Sequence, residues 1–533
     1  MVKINQVDMS QITVPNKQVL YGNLFSYTIN GIDAKKITIE ADIRYGNLPK
    51  FSIVGLPSNT VKESKERVGA AIKNSGFRFA LGKHTINLAP ADIPKDGVSM
   101  DLPIALSILL ASGELHSSQT DGIAFIGELS LNGKLRGVKG VLPIVMAAKN
   151  DNIKSIYLPE KNAEEAAIVE GIDVFGVSCL NEIVSILKGK KKIEPTKVNL
   201  DSVFAKKINY AFDMFDVKGQ YQSKRALEVA AAGGHNVIMI GPPGSGKTML
   251  AKRLTSILPQ ITLQEALQTT KIFSISGKMI GNKNGIVSKR PFRSPHHTIS
   301  DIALIGGGSY PKPGEVSLAH NGVLFLDELT EFQKTVLEVL RQPLEDGVVT
   351  ISRANASLCF PADFMLIASM NPCPCGYFGS PTESHSCNCN IYSIQRYRAK
   401  ISGPLLDRFD IHIEVPSVKY DELSKIPSGE KSVAIQKRVN ICRKVQSNRF
   451  KDIGIFSNSQ MNPKHIRKYC VLNKQGNELL KNAIEKMGLS ARAYDKILKV
   501  SRTIADLENS LEIKVEHIAE AVQYRSLDRK YWE

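Results

Sequence analysis

Short apolar runs alternate with stretches of helical period along the first third of the chain. Phe51 to Val54, Thr85 to Leu88, Ile123 to Ile126 and Ile156 to Leu158 read as strands, which predicts one α/β domain over residues 23–188 behind an N-terminal extension, 1–22. The run from Lys188 to Lys197 is charged, contains Pro195 and offers no apolar face, so residues 189–200 read as a linker. A second α/β region follows over 201–420. The last part, 421–533, opens on the polar stretch from Ser424 to Lys431 and turns helical; Ile497, Leu498, Ser501, Ile504 and Ala505 carry the i, i+3, i+4, i+7 spacing of a helix face.

The second region holds the densest chemistry. Val237 to Ile240 is a buried-strand run, and Met249 to Leu258 is a helical pattern stopped by Pro259. Between them lies Gly241-Pro242-Pro243-Gly244-Ser245-Gly246-Lys247-Thr248, a complete phosphate-binding loop in its strand-to-helix setting. Its glycines let backbone N–H groups approach phosphate oxygens, Lys247 places a charge on the terminal phosphates, and Thr248 offers a hydroxyl to magnesium. Val323 to Leu326 is a second buried-strand run, and it ends in Asp327 and Glu328, where an open α/β sheet presents its ligands. With the loop present, Asp327 is placed to hold magnesium and Glu328 to orient and deprotonate water. An Asp-Glu pair alone would only cap a strand.

Composition adds one hint and several exclusions. The 533 residues carry 69 Lys and Arg against 52 Asp and Glu, a formal net charge of +17, which suits a polyanionic partner and equally a merely basic soluble protein. No run approaches the length of a membrane span, and Met1 to Leu20 has no apolar core of a secretory signal, so the expected location is cytoplasmic, away from membranes. Four of the eight cysteines crowd into Cys373, Cys375, Cys387 and Cys389 within a Gly- and Pro-bearing insertion, 373–389. Four thiolates there could close a tetrahedral structural zinc site, with His385 able to replace one of them; the other reading is a free or redox-active thiol cluster.

Further stretches carry a family resemblance. Phe51 to Pro57, Asn87 to Asp92, Arg293-Ser294-Pro295-His296-His297 and Gly403 to Asp410 resemble the magnesium-chelatase-like ComM/YifB family of AAA+ ATPases, over nearly everything after Gly22. The resemblance implies an N-terminal Lon-protease-like α/β domain, a central AAA+ parallel-sheet domain and a C-terminal helical lid. It makes Asn371 the polar sensor near the γ-phosphate and Arg408 the arginine finger reaching a neighbour's ATP in a ring, a homo-oligomer expected to be a hexamer. It makes Arg492, after the N-cap Ser490, a second sensor, and it puts Val217 in the adenine pocket of the stretch Asp216 to Gln220. Either arginine could also be a plain surface charge.

In the N-terminal domain, Pro94 to Ser99 resembles the segment bearing the nucleophile of Lon-type Ser/Lys proteases, with Ser99 at its position. Where that family has its lysine this chain has Leu142, and Lys139 lies three residues away. A Ser/Lys dyad needs the amine within hydrogen-bonding reach, so the resemblance implies the fold without the protease. The insert from Thr298 to Pro313 and a hairpin pattern from Val348 to Phe360, with Arg353 near its turn, could reach a ring's pore. By family resemblance the expected function is an ATP-driven motor on single-stranded or branched DNA, a helicase promoting branch migration in homologous recombination during natural transformation. The alternatives are a chelatase-like ATPase that remodels a protein partner and, disfavoured by Leu142, a Lon-like protease.

Overall fold

The computed structural model describes residues 20–46, 50–205, 210–308, 311–353, 356–379, 386–417 and 429–527. It falls into two compact units: one of residues up to 201 together with Phe273–Ile286, the other of 202–272 and 287 onward.

The first unit is built on a seven-stranded mixed sheet. Its order is Lys50–Val54, Gly82–Ala89, Asp33–Tyr45, Leu20–Asn30, Ile123–Phe125, Ser155–Pro159 and Asp173–Val177. The four expected strands are all present, each within a few residues. The long antiparallel hairpin of Leu20–Asn30 with Asp33–Tyr45 was not expected. Its second strand alternates buried and open positions, so Ile37, Ile39, Ala41 and Ile43 face the core while the charged residues between them face out. Helix Asp101–Ala111 is buried along its whole length, and its one acid, Asp101, is held bidentately by Arg67 at 2.7 and 3.0 Å. The expected linker is not wholly without a partner: the Thr196 N–H donates to the Val174 carbonyl, and Ile193 packs on this unit's core.

The second unit carries a five-stranded, all-parallel sheet, ordered Phe292–Arg293, Val323–Leu326, Met365–Met370, Val237–Ile240 and Ile411–Glu414. The three central strands are buried on both faces, as a parallel sheet between layers requires. Around it lie the C-terminal helices Ser432–Arg449, Lys474–Met487, Ala491–Leu507 and Val515–Gln523. Ser490 caps Ala491–Leu507 by accepting from the Ala493 N–H at 3.2 Å.

Asp410 ties this helical part to the sheet. Its carboxylate accepts from the Asn236 N–H just before the phosphate-loop strand, meets Lys496 Nζ at 3.0 Å on Ala491–Leu507, and lies 3.4 Å from His235 Nδ1. Burial pushes its pKa up, but Lys496 and His235 outweigh burial and hold the carboxyl well below the ordinary range. Asp410→Asn would leave the buried Lys496 ammonium without its counter-charge. The expected loss is about 3–5 kcal/mol of unfolding free energy, read from denaturant titration against wild type.

Candidate active site

Sheet order builds the site. The strand leading to the phosphate loop has the Asn371 strand on one side, and the strand ending at Asp327 follows next, so all three open at their carboxyl ends onto one crevice. Helix Lys247–Leu254 starts on the last two residues of the loop, two residues earlier than its apolar pattern suggested, and ends four residues earlier than Leu258; Gly244 and Gly246 adopt φ of 73° and 89°, which turn the chain sharply into it. Its N-terminal N–H groups and dipole therefore face an incoming phosphate.

Thr248 Oγ1 donates to Asp327 Oδ2 at 2.7 Å, and the Ser369 hydroxyl donates to the other Asp327 oxygen. A hydroxyl and a carboxylate directed at one point are the oxygen donors a magnesium ion takes beside a triphosphate, so the residues fit that cation. Lys247 Nζ donates to the Gly241 and Pro242 carbonyls at 2.7 and 2.9 Å and to Asn371 Oδ1 at 3.2 Å, which brings Lys247 and Asn371 into direct contact. Burial lowers the lysine's pKa to about 8, opposed by Asp327 and Glu328. Glu328 follows with φ of 54° and a side chain 60% exposed, so it stands open to water.

Three contacts escaped the sequence reading. His297 Nδ1 lies 3.7 Å from Glu328 Oε2, and its ring lies 4.1 Å from that of His296 between centroids, tilted by 34°. Arg293 grips Glu315 with two bonds of 2.6 and 2.7 Å. Gln220, in left-handed backbone, donates to the Ser245 carbonyl at 2.6 Å and so links the stretch around Val217 to the phosphate loop; Val217 itself is buried. The quoted runs Arg293 to His297 and Asp216 to Gln220 held the signal, but which side chain faces the site depends on the fold.

The two arginines stand apart from this cluster of contacts. Arg408 Nη2 is paired with Glu345 Oε2 at 2.6 Å, and Arg492 Nη1 lies 3.4 Å from Asp407 Oδ2, on the residue next to Arg408. The Sγ atoms of Cys373, Cys375, Cys387 and Cys389 all lie within 4.8 Å of one another; His385 lies outside the described residues.

The first unit gives the Lon-like reading no dyad at the expected places. Leu142 is buried, with its N–H on Glu165 Oε1 at 3.0 Å, and the Lys139 side chain lies across Gly277. The hairpin expected from Val348 to Phe360 is present as Val348–Arg353 with Ala356–Pro361, its turn residues 354–355 lying outside the described residues. The insert before it forms helix Asp301–Ile305 and a short pair, Gly306–Gly307 with Lys312–Pro313.

A parallel sheet with a phosphate loop, an acidic strand end and Asn371 on adjacent strands defines a P-loop ATPase of the magnesium-chelatase class. The sequence matches the family descriptions "Subunit ChlI of Mg-chelatase" over residues 39–162, "Magnesium chelatase, subunit ChlI" over 213–423 and "Magnesium chelatase, subunit ChlI C-terminal" over 429–525. It is 44% identical to Competence protein ComM of Haemophilus influenzae over 95% of this chain and 97% of that one, and 43% identical to YifB of Salmonella typhimurium over 94% and 96%. The match to the magnesium-chelatase 38 kDa subunit of Rhodobacter capsulatus is 26% over 30% of this chain and 50% of that one. The chain belongs to the ComM/YifB family of magnesium-chelatase-like AAA+ ATPases. As a member of an ATPase family it uses ATP with magnesium. Among the described residues no helix is long and apolar enough to cross a membrane.

Proposed function

We propose that this protein is an ATP-hydrolysing ring motor that acts on DNA, a helicase driving branch migration when incoming DNA recombines during natural transformation. The reading is carried by near full-length similarity to a competence protein, joined to a site where Lys247 bonds Asn371 and Thr248 bonds Asp327. In it, Lys247 and the loop N–H groups hold the phosphates, Thr248 and Asp327 hold magnesium, which supplies charge neutralisation there, and Asn371 positions the attacking water. Glu328 removes that water's proton, Arg408 reaches the ATP of a neighbouring subunit of a hexamer, and Arg492 serves as a second sensor. Val217 borders the adenine. Zinc held by Cys373, Cys375, Cys387 and Cys389 completes the cofactors. The net charge of +17 favours a polyanion, and phosphate contacts by the hairpin at Val348–Arg353 would track a strand without reading its bases.

ATPase rate measured with branched, single-stranded and duplex DNA tests this. The expected result is stimulation that disappears in Lys247→Ala and weakens steeply as salt rises from low to physiological concentration, because each phosphate contact releases a counterion. Indifference to every DNA would turn the reading toward a motor that remodels a protein, as suits the weaker similarity to a chelatase subunit.

A further inference from the structure

The cysteine cluster lies against the phosphate loop. Its Sγ–Sγ distances are 3.3 Å for Cys373 to Cys375, 3.7 Å for Cys373 to Cys387 and 3.5 Å for Cys375 to Cys387. A zinc tetrathiolate with bonds of about 2.3 Å has tetrahedral edges of about 3.8 Å, whereas a disulfide needs about 2.05 Å. The spacing therefore fits a shared ion and leaves each sulfur too far from its neighbour for a covalent pair. The Phe378 N–H donates to Cys373 Sγ at 3.3 Å, the kind of outer hydrogen bond that orients a metal thiolate.

The loop bearing Cys373 and Cys375 starts two residues after the sensor Asn371, and it is held from both sides. Arg398, on helix Ile391–Arg398, donates through Nε and Nη2 to the Pro372 carbonyl at 3.2 and 3.1 Å and lies 5.3 Å from the Phe378 ring centroid. On the other side Gly376, at φ of 89°, presses on the loop itself: a Cβ there would fall 2.6 Å from Cδ and 2.7 Å from Cγ of Pro243. The same Cβ would lie 3.9 Å from Cγ of Asn371. A rigid proline ring and a glycine with no spare volume form a contact that transmits displacement instead of absorbing it.

We propose that Cys373, Cys375, Cys387 and Cys389 form a zinc knuckle that braces the phosphate loop through Gly376 and Pro243, so that zinc occupancy sets both nucleotide affinity and the position of Asn371. This rests on the assignment of zinc to the four thiolates, and the brace is the step beyond it. Gly376 is a positioning residue, and it acts on ATP only through Pro243 and Asn371.

The test uses the full chain, purified under reducing conditions. Zinc per chain is measured by atomic emission, nucleotide affinity with a fluorescent ATP analogue, turnover by phosphate release and folding by thermal melting. Wild type is expected to carry one zinc per chain and Cys375→Ser close to none, with affinity and turnover both reduced. Gly376→Ala is expected to keep its zinc and to stay folded with a somewhat lower melting midpoint, from the strained backbone and the Pro243 contact, while turnover falls about 100-fold, the scale of a small misplacement in a reacting site. Cys179→Ser, on the first unit, should match wild type in all four. Wild type without zinc would sink the metal assignment and the brace with it. Zinc in wild type, with either Cys375→Ser or Gly376→Ala binding and hydrolysing ATP normally, would leave the metal site standing and overturn the brace alone.

Discussion

Glu328→Gln is expected to slow ATP turnover about a thousandfold while ATP still binds, since a positioned general base contributes about 10²- to 10⁴-fold. The carboxylate stands exposed at the strand end beside an Asp327 that Thr248 and Ser369 already hold, and it makes none of the contacts that fix the phosphate loop. The amide keeps its shape and loses its basicity. Steady-state phosphate release measures the rate, and a fluorescent ATP analogue measures binding. A variant that hydrolyses within a fewfold of wild type would assign proton removal elsewhere, with His297, 3.7 Å from Glu328, the first group to examine.

Arg408→Ala is expected to cost about 10³-fold or more in turnover, the range for an arginine that neutralises charge during phosphoryl transfer. Among the described residues this side chain is engaged with Glu345, whose carboxylate is 59% exposed. The exposed Glu345 carboxylate can return to water when Arg408 turns to a neighbour's triphosphate. Among the described residues nothing accepts from Arg408 Nε, which leaves a donor in reserve. Mixing decides whether the action is between subunits. In rings of Arg408→Ala and Glu328→Gln chains at equal amounts, about a quarter of the interfaces combine an intact Glu328 with an intact Arg408, and activity should reappear in that proportion. Mixtures as inactive as their parts would remove the finger from a neighbour's site.

Much of this was readable from residues. Val237 to Ile240 and Val323 to Leu326 are strands at the expected residues, because a strand buried on both faces must be apolar throughout and leaves a continuous run. The hairpin of Leu20–Asn30 and Asp33–Tyr45 was missed because polar residues interrupt both strands, Asn23, Ser26 and Thr28 in the first and Lys35, Lys36, Glu40 and Asp42 in the second, and leave no continuous apolar run. The alternation itself and Asn30-Gly31 at the turn were the available signals. In the site, the motif named Lys247, Thr248, Asp327 and Glu328, since their chemistry fixes their spacing. Ser369, Gln220, His297 and Gly376 act through contacts across the sheet and between loops, which no local spacing encodes. Asp410 lay in a run recognised by resemblance, yet its tie to Lys496 joins residues 86 positions apart in the chain.

The assignment of Phe273–Ile286 to the first unit bears on how the protein is made. Ser274 of that segment bonds Glu165 through its hydroxyl and Gly140 through its carbonyl, and the Gly281 N–H reaches the Lys161 carbonyl. A ribosome delivers the rest of that unit by about residue 201 and this piece only roughly 85 residues later, about 4–17 s at ordinary elongation rates. During that interval Glu165 has no Ser274 to hold it, so the amino-terminal unit waits unfinished while the nucleotide-binding region is still emerging. A gene cut near codon 190 would encode a fragment that never receives its last piece.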